Sequence, residues 1–215
     1  MSLATSHSEL VITRHGGITT LVMRGPETKA TRADCPEGAE FLGITFKRGV
    51  FMPQLPPAQL TNRHTMLGLA TNTSFWLGDH TWQIPSMEEA EDFVEGLLRQ
   101  GQLQQDLMIE TLLRDDFSLE APTHVRTLQR RFQGATGLSL RTVRQIERAR
   151  RAVALLEGGA AISDVIYELR YSDQPHLTRT LKQLIGDTPA RIAQIANPHS
   201  PLIGWELSQR PHPIE

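Results

Sequence analysis

Arg126, Gln129, Arg130 and Gln133 follow one another at i, i+3, i+4 and i+7. The apolar residues Val125, Leu128, Phe132 and Ala135 keep the same helical period beside them. A guanidinium can donate two parallel hydrogen bonds to guanine O6 and N7, and a glutamine amide can pair with adenine. Arg126, Gln129 and Arg130 therefore form a set able to touch base edges from the first turns of one helix. Arg131, Arg144 and Lys182 suit phosphates better, since such contacts position a protein without reading sequence. Helix N-termini at Ser139 and Thr188 can offer backbone N–H groups to the same anions. The competing reading is structural: Arg130 and Arg179 pair with acids such as Asp173 or Glu147. Glu147 and Arg151, four apart, then form a helix-surface pair worth about 0.2–0.5 kcal/mol.

Charge supports an anionic partner only when taken locally. The 215 residues carry a formal net charge of −2. Residues 124–191, however, hold 12 Lys and Arg against 6 Asp and Glu, a balance of +6. Residues 1–104 hold 8 against 11, a balance of −3. Fields are screened within about 8–10 Å, so the basic segment acts on its own surroundings.

Other chemistries find little support. His7, His15, His64 and His80 lack the His-x-His or His-x₃-His spacing that would bring two ligands to one metal. No P-loop, GxGxxG or GxSxG occurs. Cys35 is the single cysteine, which rules out an internal disulfide and a Cys-rich zinc site. No cofactor is expected. Residues 1–10 lack a basic stretch followed by an apolar one, and no apolar run reaches the roughly 18–20 residues that cross a bilayer. These features together point to a reducing, cytoplasmic setting with no membrane partner. Hydrophobic residues at 39% and charged residues at 21% argue against wholesale disorder.

The elements that would position these groups change character near residue 100. Before it, Leu10 to Thr13, Ile18 to Met23 and Phe41 to Lys47 read as strands. FWLGDHTW at 75–82 reads as a hairpin turning at Gly78-Asp79, with Trp76 and Trp82 as a cross-strand pair or the lining of an effector pocket. Frequent Gly and Pro suggest a small barrel or sandwich. Ser86 and Glu89 fit a capping box ahead of a helix that Gly101 stops. A second helix is expected over about 103–114. Beyond residue 123 only helices are expected: 124–135, 139–157, 162–169, 173–185 capped by Ser172, and one opened by Thr188-Pro189. Residues 198–215 form a tail.

LQRRFQGATGLS from Leu128 and LTRTLKQLIGDT from Leu177 repeat at an offset of 49. Leu128 matches Leu177, Arg130 matches Arg179, Phe132 matches Leu181, Gly137 matches Gly186 and Ser139 matches Thr188. Two copies of one module are implied. The intervening helix of about 18 residues would span roughly 27 Å, near the ~34 Å repeat of a DNA groove.

The stretch IERARRAVALLEGGAAISDVIYELRYSDQPHLTRTLKQLIGDTPARI resembles the C-terminal DNA-binding domain of AraC/XylS-type bacterial transcription regulators. RARRAVALL, YSDQPHLTR and KQLIGDTP carry most of the likeness, and TLQRRFQGATGLS resembles the end of that family's first helix-turn-helix. The resemblance covers about residues 105–195. It implies two helix-turn-helix units joined by a linker helix, each reading one major-groove segment, with helices 124–135 and 173–185 doing so. Carried over at matching positions, Gln174, His176 and Arg179 would touch bases, and Thr178 less so. Two departures stand out in the second unit. Arg170 occupies a turn position where the family has Gly, and Ile166 one where it has a small residue.

The fold class that follows is α+β: a small β-rich, cupin-like barrel or sandwich, then an all-α domain. Residues 1–100 would form a regulatory domain that binds an effector or associates, and 105–197 the DNA-binding domain. The implied function is sequence-specific transcription regulation, with activation favoured by the resemblance. The implied partners are duplex DNA, RNA polymerase, a small-molecule effector and a second copy. Two alternatives remain at this stage: an interaction protein with a degenerate helix-turn-helix domain, and a small-barrel enzyme.

Overall fold

Strand alternation builds the N-terminal core. In β1 (Glu9–His15) Leu10 and Ile12 point inward, and in β2 (Ile18–Arg24) Leu21 and Met23 do. Gly16 and Gly17, at φ 56° and 77°, close the hairpin between them, as a two-residue turn with both φ angles positive requires. β3 (Glu40–Thr45) adds Leu42 and Ile44 to the same face. Next along the chain come β4 (Val50–Phe51), α1 (Pro57–Leu60), β5 (His64–Leu67), β6 (Leu69–Thr71), β7 (Ser74–Leu77) and β8 (His80–Gln83). The helical half follows through α2 (Ala90–Arg99), the short β9 (Gln104–Gln105), α3 (Met108–Arg114) and α4 (Pro122–Thr136). It ends with α5 (Leu140–Glu157), α6 (Ile162–Glu168), α7 (Gln174–Leu184) and α8 (Pro189–Ile195). This computed structural model describes residues 2–32, 35–114 and 122–195. The tail from 198, residues 115–121 and the Val125 side chain lie outside the described residues.

The fold is α+β. Among the described residues the strands form three antiparallel sheets, in the orders β3-β1-β2-β5, β4-β9 and β6-β7-β8. They do not close into a barrel: β3 and β5 remain the outer strands of the largest sheet. The described chain divides into two compact units, and the division falls within α5 after Val143.

The β-rich unit takes residues 5–27, 35–114 and 122–143. Its core joins the inward residues of β1 to β3 with Phe75, Leu77, Phe93, Leu97 and Leu103. The hairpin at Gly78-Asp79 forms as expected, but its register separates the tryptophans. Leu77 pairs with His80, so Trp76 faces Thr81 and Phe75 faces Trp82. Trp82 packs edge-on against Phe93 at 6.0 Å, while Trp76 is half exposed on the other face. The expected pair is therefore absent, and the two rings cannot line one pocket.

Two helix starts also differ from expectation. Glu89 does reach back to the Ser86 N–H at 3.0 Å, yet the helix itself begins at Ala90. The helix expected from 103 begins at Met108. Gln104 and Gln105 are drawn into pairing with Phe51 and Val50, and the Asp106 carboxylate accepts the Met108 N–H at 3.1 Å.

The helical unit takes residues 2–4, 28–32 and 144–195. Ile146, Ala149, Ala152 and Leu156 of α5 are fully buried, as are Val165 of α6 and Leu177 and Leu181 of α7. The last carbonyls of a helix have no partner within it. Here two segments remote in sequence supply donors: Ala4 N–H to Leu184 O at 2.8 Å and Ala30 N–H to Gln183 O at 2.9 Å.

Candidate nucleic-acid interface

The offset-49 repeat becomes a structural repeat. α4 ends at Gly137 with φ 74°, and α7 is followed by Gly186 with φ 86°. A left-handed glycine ends each helix because it carries no β-carbon to clash there. Two residues later a hydroxyl caps the next helix. Ser139 Oγ accepts the Thr142 N–H at 3.1 Å, and Thr188 Oγ1 accepts the Arg191 N–H at 3.3 Å. Phe132 and Leu181 hold equivalent buried positions, and Arg130 and Arg179 equivalent exposed ones.

On α4, Arg126, Gln129 and Arg130 are exposed. Arg131 lies one residue on, about 100° round the helix. It faces Asp106 instead, with Nε 2.6 Å from Oδ2 and a second nitrogen 3.0 Å from Oδ1. That fork holds the guanidinium charged and pushes its pKa up, through hydrogen bonding and then Coulomb attraction. α4 is also tied to α1, where Thr61 Oγ1 donates to Gly137 O at 3.0 Å.

In the second unit a short helix, a turn and a longer helix run in sequence through α6, residues 169–173 and α7. The cap of α7 is Asp173 rather than Ser172. Asp173 has extended backbone (φ −166°), and its Oδ1 accepts the His176 N–H at 2.6 Å. Ser172 instead holds the His176 ring, with its Oγ 3.0 Å and its backbone N–H 3.4 Å from Nδ1. Gln174, Arg179 and Lys182 are exposed, and His176 and Thr178 are half-buried. Arg179 and Arg130 make no ion pair with any described residue. Arg144 on α5 is exposed as well. Arg151 reaches Glu168 of α6 at 2.9 Å.

Behind His176 stands a group that sequence reasoning missed. Its ring meets Tyr171 edge-on at 5.2 Å, and the Arg148 guanidinium lies 4.4 Å over the other ring. Tyr171 is buried, and its hydroxyl has no hydrogen-bond partner among the described residues. Burial pushes the phenol above its usual value of about 10, with Arg148 pulling the other way. A raised pKa means that the folded state holds the proton more tightly than the unfolded state. The associated stability is complete below about pH 10 and is lost as the pH rises through the folded value. Tyr171→Phe should therefore shift alkaline unfolding to higher pH, and it should remove a tyrosinate absorbance step that lies above the ordinary range. A wild-type titration with no step above the ordinary range would contradict this.

Arg170, at φ 55°, has the positive angle expected for a residue standing in a glycine position. Among the described residues no helix is long and apolar enough to cross a membrane.

Residues 118–194 match a family model described as a helix-turn-helix domain. Neither a curated protein nor a solved structure matches the chain.

Proposed function

We propose, from the premise that residues 118–194 carry an AraC-type helix-turn-helix domain, that this DNA-binding transcription regulator reads two successive major-groove segments. α4 would enter one groove with Arg126, Gln129 and Arg130. α7 would enter the next with Gln174, His176 and Arg179, Thr178 adding a lesser contact and Lys182 a phosphate. The observation that carries the reading is the repeat itself. Two helices end on left-handed glycines, lead into hydroxyl-capped helices, and expose an arginine at equivalent positions. Arg131 takes a smaller part than its neighbours, being held by Asp106.

The proposal assigns 105–197 to DNA binding and 1–100 to regulation, through an effector or a second copy. Activation and contact with RNA polymerase rest on the family resemblance, and a cytoplasmic location on the reducing setting that fits a single cysteine. The test is selection of duplexes from a random library by the full chain at two salt concentrations. An asymmetric motif of about two turns, bound more weakly at higher salt, is the expected result. No enrichment at either salt, with and without candidate effectors, would overturn it.

A further inference from the structure

The turn between α6 and α7 holds a residue that the fold itself disfavours. At φ 55° Arg170 lies in the left-handed region, where glycine is the ordinary occupant and a β-carbon is crowded. Its side chain is exposed and makes no hydrogen bond or ion pair with any described residue. Its N–H donates to the carbonyl of Tyr167 at 3.3 Å, so Tyr167 belongs to the same closing turn. Tyr167 is 89% exposed, so folding buries almost none of its ring.

Nearby acids do not account for the arginine. Glu168 is taken by Arg151 at 2.9 Å. Asp164 accepts the Ser163 hydroxyl at 3.3 Å, and Asp173 is the cap of α7. A guanidinium and a phenol are thus both exposed on one turn, three and six residues ahead of that cap. Backbone strain of this kind persists where it serves a site.

We infer that Arg170 and Tyr167 clasp a phosphate of the DNA strand flanking the segment read by α7. Arg170 supplies a charge-assisted bond and Tyr167 its phenolic O–H. The inference rests on the proposed DNA-reading function and adds a contact to it. The positive charge at 170 is the essential part, and the strain of a left-handed non-glycine residue is what the chain accepts to place it there.

The test uses the full chain and a duplex recovered by the wild type from a random library. Arg170→Gly and Arg170→Asn both suit a left-handed residue and both remove the charge. Each should weaken binding uniformly across sequences and lower the slope of log K against log salt by about 0.9. Arg170→Lys should keep the slope. Tyr167→Phe should weaken binding with no change in slope. Arg170→Gly should melt no lower than the wild type. Unchanged affinity and slope in Arg170→Gly would overturn the inference and hand this pair to a protein partner instead. A lower melting temperature would overturn it in favour of a structural role. A wild type that recovers no duplex would fail at the DNA-reading function itself, and the two failures are thereby distinguished.

Discussion

Arg179→Ala is expected to weaken binding to a selected duplex by about 1–3 kcal/mol, roughly 5- to 150-fold, and to relax the preference at one base pair. Stability should scarcely change. Arg179 is exposed on α7 between Leu177 and Leu181, both fully buried, so its removal leaves the packed face intact. It also breaks no ion pair with a described residue. Arg131→Ala supplies the contrast. That side chain is forked onto Asp106, so its loss should register mainly in folding, with little effect on which base is preferred. Equal losses of specificity in the two variants would mean that the Asp106 pair opens on DNA and that Arg131 reads or clamps as well.

A second large effect is expected at Gly137. The backbone there has φ 74°, which costs a non-glycine residue about 1–2 kcal/mol. A β-carbon would also lie 2.7 Å from the backbone carbonyl of Pro57 and 2.9 Å from Thr61 Oγ1. Neither the backbone of α1 nor the Thr61 hydroxyl, which is already bonded to Gly137 O, can move cheaply. Overpacking of this kind adds about 1–3 kcal/mol. Gly137→Ala should therefore destabilise by about 2–5 kcal/mol in denaturant unfolding. Gly159→Ala is the control, since its φ is 86° but no atom lies within 4 Å of the added carbon. It should lose only the backbone part. Similar losses at both sites would show that α1 gives way and that α4 is not held against it.

What was legible in the sequence follows from how local each signal is. The phases of α4, α5 and α7 could be read because buried residues recur every three or four positions within one element. The pattern of glycine followed by hydroxyl at 137–139 and 186–188 also names its own conformation. So does Arg170, whose place in a turn requires a positive φ whichever residue fills it. Register in the 75–82 hairpin is equally local, and the expected tryptophan pair conflicts with the turn at Gly78-Asp79 itself. A two-residue turn pairs Leu77 with His80, which sets Trp76 opposite Thr81 and puts the tryptophans on opposite faces. The fork from Arg131 to Asp106 spans 25 residues, and the donors from Ala4 and Ala30 close a helix about 150 to 180 residues away. No periodicity marks such contacts, because they are set by how elements pack and not by any one of them. The Ser172 cap was a near miss of the same origin. Both Ser172 and Asp173 can accept an N–H; Asp173 takes the His176 N–H, and Ser172 lies against the His176 ring, which packs edge-on to Tyr171.

The most direct test of two-segment reading is a parallel selection with wild type, Arg130→Ala and Arg179→Ala. The account predicts an asymmetric motif of about two turns, in which each variant blurs a different position and the two positions lie roughly one helical turn apart. A half-length motif, blurred by Arg179→Ala and indifferent to Arg130→Ala, would contradict it, and would leave α7 as the single reader with α4 bound to the β-rich unit for another purpose.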